Sequence, residues 1–153
     1  MSIHTFKATQ LIPTTLNQAW DFFSSPRNLA LITPPQMNFN ITSTLTSEKI
    51  FPGQLIAYDV TPLWNMRVKW ISEIKDLREP VYFVDEQRKG PYKLWRHRHF
   101  FTEVVGGIEM ADEINYEIGY GIIGSMMHSK VRNRIEQIFD YRRKKIAQIF
   151  TIR

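Results

Sequence analysis

The feature that most constrains this chain is a segment in which large rings alternate with other side chains shortly before two adjacent glycines. Because strand side chains point alternately to opposite faces, rings at every second position share one face of a strand. Glycine accepts the positive φ of a tight turn, so Gly106-Gly107 predicts a β-hairpin whose second strand covers residues 108–118. Four rings make up the shared face: Trp95, His97, His99 and Phe101.

A two-residue turn at Gly106-Gly107 also predicts which residues of the two strands face each other. Counting outward from the turn places His99 opposite Ile114 and His97 opposite Tyr116. Side chains directly opposite in an antiparallel pair contact each other. The predicted register therefore puts the phenol of Tyr116 beside an imidazole.

The other face of the hairpin carries charges of both signs. Arg96 and Arg98 alternate with the rings, and the predicted register brings them near Glu113 and Glu117. Opposite charges across a ladder suit a solvated face. The face with the rings is then the covered one, although an ordinary core does not need two histidines and the aspartate Asp112.

The preceding strand extends the same face by one row. A three-residue loop at Lys89-Gly90-Pro91 would pair Phe83 with His97 and place Asp85 diagonal to His97. A carboxylate at that position can reach the imidazole directly or through water.

The rest of the chain predicts an α+β protein. Residues 121–150 have a helical period, with an apolar stripe that includes Ile123, Met127, Val131 and Ile135. A helix of this length has to lie along a curved sheet, so we expect one domain over residues 1–153 with about seven strands in the order β-α-α-β6-α. The other predicted elements are a strand over 3–12, helices over 14–23 and from 25 to 33, and strands over 38–45, 54–61, 66–74 and 81–87.

Several motifs occur together along nearly the whole chain, namely Asp85-x-Gln87, Gly90-Pro91-Tyr92, Trp95-x-His97-x-His99-x-Phe101, Asp112-x-x-x-Tyr116, Gly121-x-x-Gly124 and Phe139-x-Tyr141-Arg142. In this combination the chain resembles the ligand-binding branch of the START-like (SRPBCC) superfamily. The resemblance implies a helix-grip fold, in which a curved antiparallel sheet wraps a long C-terminal helix around a deep cavity. Members of the superfamily bind lipids, sterols, polyketides or other apolar molecules, and some are enzymes such as aromatase/cyclases.

The amino-acid composition excludes some classes of function and disfavours others. The chain has no cysteine, which excludes disulfides, thiol catalysis and the ligands of the superfamily's iron–sulfur hydroxylases. The net charge of +5 comes largely from residues 142–145, which we expect to be a solvated helix end, so nucleic-acid binding is not predicted. No apolar run is long enough to span a membrane and no signal peptide is recognisable, so we expect a cytoplasmic protein.

The inward polar side chains allow three interpretations. They can be satisfied core groups, they can anchor the polar end of an apolar or aromatic ligand, or His97 can act as a general base oriented by Asp85 or Tyr116. We predict ligand binding without a cofactor, and the enzyme remains the alternative. The predicted ligand-binding residues are Trp70, Phe83, Asp85, Trp95, His97, His99, Phe101, Ile114, Tyr116, Met127 and Val131.

A metal site is a further alternative. Two histidines one residue apart on a strand face can ligate one ion, with Asp112 or Asp85 as the third ligand. Nothing in the sequence forces a carboxylate close to both rings, so His97 and His99 are predicted to bind no metal.

Overall fold

The computed structural model describes residues 3–63, 65–119 and 121–151. The side chain of Ile123, predicted to join the apolar stripe of the last helix, lies outside the described part of the chain. Within that part, the order of elements agrees with the predicted α+β layout. The strands are β1 His4–Ile12, β2 Asn40–Ile41, β3 Leu55–Leu63, β4 Met66–Arg78, β5 Tyr82–Lys89, β6 Leu94–Val104 and β7 Gly107–Glu117, and the α-helices are α1 Leu16–Phe23 and α2 Gly121–Ile149.

All seven strands form one curved antiparallel sheet in the order β1-β7-β6-β5-β4-β3-β2. Helix α2 packs against the concave face with Val131, Ile135 and Ile146 buried, because these residues recur on one side of the helix. The predicted helix-grip layout, with about seven strands wrapped on the long C-terminal helix, is confirmed.

The segment between α1 and β3 differs from its prediction. The chain after Ser25 forms a 3₁₀ helix over Pro26–Ile32 and a second over Pro35–Met37, not one α-helix. The proline pair lacks backbone N–H donors and ends the first helix. The strand predicted over residues 38–45 is reduced to the two residues of β2, which pair with β3 at the edge of the sheet.

The turn between β6 and β7 is shifted from its predicted position. Its two central residues are Val105 and Gly106, and Val104 pairs with Gly107. Gly106 takes the positive φ of +92° that the turn needs. Gly107 also has a positive φ, of +150°, and in addition a Cβ there would collide with the carbonyl oxygen of Ile12 in the neighbouring strand.

This shift changes every predicted pair by two residues but leaves each side chain on its predicted face. His99 faces Asp112 instead of Ile114, and His97 faces Ile114 instead of Tyr116. Tyr116 lies opposite Trp95. The predicted contact between Tyr116 and an imidazole of β6 is therefore wrong. The polar residue of β7 that lies opposite an imidazole is Asp112, which faces His99.

The pairing of β5 with β6 is shifted by the same amount. The connection spans residues 90–93, so it is longer than the predicted loop. Asp85 lies directly opposite His97 instead of diagonal to it, and Phe83 lies opposite His99. Both strands that flank β6 thus present a carboxylate to its two histidines.

The outer face of the sheet is charged and partly solvated, as predicted. Arg98 donates to Glu113 over 2.8 Å. Arg96 donates to Glu86 of β5 over 2.9 Å and not to Glu117, because the shifted register places Asn115 opposite Arg96.

Candidate functional site

A cavity of about 210 Å³ lies between the concave face of the sheet, α2 and the two 3₁₀ helices. The walls come from β3 to β7 on one side and from the middle of α2 on the other. Apolar and aromatic side chains make up most of the lining, and a few polar groups lie among them. Five of the aromatic residues in the lining are Phe39, Tyr58, Trp70, Tyr92 and Trp95.

The aromatic wall is held by ring contacts and one shared hydroxyl. Trp95 lies edge-on to Trp70 at 5.5 Å between centroids and 4.7 Å from Tyr92. The indole N–H of Trp70 donates to Ser72 Oγ over 3.1 Å, and the Tyr58 hydroxyl lies 3.3 Å from the same oxygen. Because these polar atoms satisfy one another, the rings present mainly their apolar faces to the cavity.

The structure brings most of the predicted ligand-binding residues to this cavity. They lie on β4, β5, β6 and β7, whose inward side chains share one face of the sheet. The predicted residues that line the cavity are Trp70, Phe83, Asp85, Trp95, His97, His99 and Ile114.

Four predicted residues lie elsewhere. Phe101 packs against Trp20 of α1 at 5.8 Å between centroids. Tyr116 and Val131 are buried together with Phe6 and Ile118, and the Tyr116 hydroxyl lies 3.3 Å from His128 Nε2. Met127, at the start of α2, is also outside the lining. Met127 and Val131 precede the part of α2 that lines the cavity, and the shifted register moves Tyr116 one row toward the end of the sheet.

Asp85 and His99 form the first of two imidazole–carboxylate pairs at the cavity. His99 Nε2 lies 2.6 Å from Asp85 Oδ2, and since an ionised carboxylate only accepts, the imidazole N–H donates. Phe83 stacks on the His99 ring at 4.0 Å and fixes its plane. His97 stacks on the other side at 3.6 Å.

His97 and Asp112 form the second pair. His97 Nε2 donates to Asp112 Oδ1 over 2.7 Å, and Arg142 of α2 lies 3.4 Å from the same oxygen. Arg142 is only 7% exposed, so its predicted place on a solvated helix end is wrong. Its spacing of three residues from Phe139, whose ring it covers at 5.3 Å, is the sequence signal for this inward position.

Burial and charge set the protonation of the cluster. Burial lowers the pKa of His99 to about 4, and repulsion from His97 acts in the same direction. Burial alone would raise the pKa of Asp112, but Arg142 and then the hydrogen bond from His97 hold it well below its usual range. Burial alone would raise the pKa of Asp85, but the hydrogen bond from His99 together with the charges of His99, His97 and Arg142 lowers it. Both carboxylates are ionised at neutral pH.

The same side chains are the candidate metal ligands. Asp85, His97 and His99 each offer one ligand atom, and the three atoms lie within 4.8 Å of one another. The sequence did not predict that carboxylates from both neighbouring strands would reach the imidazoles, because this depends on the register.

Arg134 is a cavity residue that the sequence did not single out. It lies on α2 one turn before Ile138, and both residues line the cavity. Tyr92 lines the same cavity, and the charge of Arg134 opposes the rise in the pKa of Tyr92 that burial causes. The position of Tyr92 in the Gly90-Pro91-Tyr92 motif was the available signal for this part of the wall.

Comparison with known proteins identifies the fold. No family model matches the chain. No curated protein matches it either. A START superfamily protein from Mycobacterium smegmatis superposes with a TM-score of 0.72 at 10% identity, covering 95% of this chain and 99% of that one. Protein Ms6760 from the same organism gives a TM-score of 0.68 at 16% identity, covering 99% and 97%.

A third solved structure is longer than this chain. The di-domain ARO/CYC BexL from the BE-7585A biosynthetic pathway gives a TM-score of 0.73 at 15% identity, and the match covers 99% of this chain and 51% of BexL. At these identities the comparison concerns the backbone alone. The chain has the START-like fold, which confirms the resemblance at the level of structure. None of the described helices has the length and apolarity needed to cross a membrane.

Proposed function

We propose that this protein binds an apolar or aromatic small molecule in the cavity between the curved sheet and α2. One observation carries the proposal: a cavity with mainly apolar walls has the Asp85–His99 pair on its surface. Ligand sites commonly combine an apolar lining with a few polar groups that orient the ligand. Here Asp85 is the polar anchor, and its side chain is about 20% exposed.

The volume fits a small ligand. An apolar cavity of roughly 150 Å³ is enough to hold benzene. The space of about 210 Å³ would therefore accept an aromatic group of one or two rings. The ring contacts among Trp70, Tyr92 and Trp95 leave flat apolar surfaces against which such a group can stack.

The charge of the anchor limits the polar end of the ligand. Asp85 is ionised and can only accept, so the matching ligand group is a donor such as a phenol or an alcohol. The likeness to a START superfamily protein and to an ARO/CYC supports a small-molecule role by analogy of fold alone.

Recovery of bound molecules tests the proposal. Protein purified without organic additives is denatured, extracted and analysed by mass spectrometry, and Ile138→Trp is compared with Ile149→Trp. Ile138 lines the cavity, whereas Ile149 on the same helix is outside its lining and 39% exposed. We expect a stoichiometric apolar compound with wild type and Ile149→Trp, and its loss with Ile138→Trp. Equal recovery from the two variants would contradict binding in the cavity.

A second candidate function is an enzyme that uses the same cavity for proton transfer, cyclisation or hydrolysis. The observation that favours it is the presence of two imidazole–carboxylate pairs at the cavity, His99–Asp85 and His97–Asp112. Incubation of the recovered compound with fresh protein separates the two functions. A binding protein returns the compound unchanged, and an enzyme converts it at a rate that His97→Gln lowers.

Two further expectations from the sequence remain predictions. One is a cytoplasmic location, and the other is that residues 1–153 make up a single ligand-binding domain.

A further inference from the structure

Asp85, His97, His99 and Asp112 form a polar cluster at the cavity wall. The cluster combines negative charge with a ring nitrogen, Nδ1 of His99, that makes no hydrogen bond. Asp112 is buried and Asp85 is partly buried, and Arg142 pairs with Asp112 over 3.4 Å. His99 Nδ1 is buried without a hydrogen-bond partner, although Asp112 Oδ1 lies 3.5 Å away. With His99 Nε2–H donating to Asp85, this Nδ1 carries a lone pair, so two acceptors face each other without a proton between them. A buried arrangement of this kind favours an added positive charge.

We propose that Asp85, His97 and His99 form a binding site for a divalent transition-metal ion such as Zn²⁺ or Fe²⁺. Their three candidate ligand atoms already lie within 4.8 Å of one another. Two histidines and one carboxylate are a recurrent ligand set for such ions, and they leave further coordination positions open. The proposal is independent of the apolar ligand, because metal binding is measured without any organic compound.

The hydrogen bonds indicate which ring nitrogens would ligate. His97 Nε2 is held by Asp112, so Nδ1 of His97 is the nitrogen available to a metal. His99 would ligate through Nε2, with the metal replacing the proton now shared with Asp85. That proton moves to Nδ1, so the ring stays neutral, and from there it donates to Asp112, which gives the unused nitrogen a partner.

In the metal-bound form Asp112 would accept a hydrogen bond from both imidazoles. Ligating histidines almost always donate their other N–H to a carboxylate, carbonyl or water, which fixes the tautomer and the ring plane. Arg142 holds Asp112 in place for this role at 3.4 Å. The supporting shell of a metal site is thus present in the described residues.

The movement required of the Asp85–His99 pair is small. Asp85 Oδ2 and His99 Nε2 are 2.6 Å apart. Two ligands bound to zinc at about 2.0–2.1 Å in tetrahedral geometry are roughly 3.4 Å apart. The Asp85 side chain, on the cavity surface, can move by this difference without displacing the sheet.

Titration of metal-free protein with Co²⁺ and Zn²⁺ tests the site. We expect one ion per chain by calorimetry and a visible absorption band with Co²⁺. Asp85→Asn keeps the shape of the side chain and His99→Asn removes the ligating nitrogen, and each should weaken binding on the order of 100-fold or more. The control His128→Asn removes an imidazole outside the cluster and should leave affinity unchanged. Absence of the band in wild type, or full affinity in both cluster variants, would overturn the proposal.

A second measurement does not depend on variants. Ring signals of the four histidines are followed by NMR while Zn²⁺ is added to the wild-type protein. The site predicts that the signals of His97 and His99 shift together and saturate, while those of His4 and His128 do not. Shifts confined to His4 and His128 would place the ion elsewhere and contradict the assignment, whatever the outcome with apolar ligands.

Discussion

Arg142 and Asp112 form an ion pair in the interior, with Nη2 3.4 Å from Oδ1 and neither side chain more than 8% exposed. The pair joins α2 to β7 and holds His97 through the same carboxylate. A charge removed from such a pair leaves its partner buried and uncompensated.

Replacement of Arg142 should therefore cost far more stability than loss of a surface charge. We expect Arg142→Met to lower the free energy of unfolding by about 3–5 kcal/mol. Arg98→Met breaks the half-exposed pair with Glu113 and should cost less than about 1 kcal/mol. Urea unfolding of both variants measures the difference. Similar losses in the two variants would show that the buried pair contributes no more to the free energy of unfolding than the surface pair does.

The pKa of His99 predicts how stability depends on pH. The folded value of about 4 lies below the ordinary value of 6.5, so between these values the unfolded chain binds a proton that the folded chain does not. Stability from this group is complete above pH 6.5 and falls as pH decreases toward 4, by about 3 kcal/mol in all. Asp85 and Asp112, whose pKa values are lowered by their partners, add a further loss below about pH 4.

Urea unfolding at a series of pH values checks this dependence. His99→Gln should remove the loss between pH 6.5 and 4 while retaining the loss at lower pH. Burial also lowers the pKa of His4, so His4→Gln is measured separately to give the share of that residue in the same pH range. A wild-type free energy of unfolding that stays constant down to pH 4 would contradict the neutral, buried state of His99.

Gly107 is predicted to tolerate no side chain. Gly107→Ala places a Cβ against the carbonyl oxygen of Ile12 and should separate β7 from β1 at this point, with a cost above about 2 kcal/mol. Gly106→Asn is the control, because a Cβ there meets open space and asparagine tolerates positive φ. Thermal unfolding should give a clearly lower midpoint for Gly107→Ala than for Gly106→Asn. The reverse order of midpoints would show that backbone conformation in the turn affects stability more than the close approach of β1 to Gly107.

The face on which each side chain of the hairpin lies could be predicted from the sequence, but the residue opposite it could not. A shift of two residues leaves the alternation unchanged, so the pattern of rings fits both the predicted register and the observed one. The choice depends on Gly107, which has to lie within β7 because β1 approaches it closely. That contact joins residues about 95 positions apart, and no local pattern reports it.

For the candidate site, the sequence predicted which polar residues point inward but not which residues they contact. His97, His99 and Asp85 were identified as inward polar groups, and all three line the cavity. Their hydrogen-bond partners were not predicted, because each depends on the register of two strand pairs. Arg142 was missed because it lies in a run of cations, and composition alone suggests that such a run is solvated.

The most direct test of the cavity as a binding site uses the indole N–H signals as internal probes. Trp70 and Trp95 line the cavity, whereas Trp20 lies outside its lining and donates to Glu79 over 2.7 Å. Each signal is assigned with a Trp→Phe variant, and 2-naphthol is added to ¹⁵N-labelled protein. Ligand binding in the cavity predicts that the signals of Trp70 and Trp95 shift and saturate while that of Trp20 stays in place. Unchanged signals for Trp70 and Trp95, or an equal shift of Trp20, would contradict it.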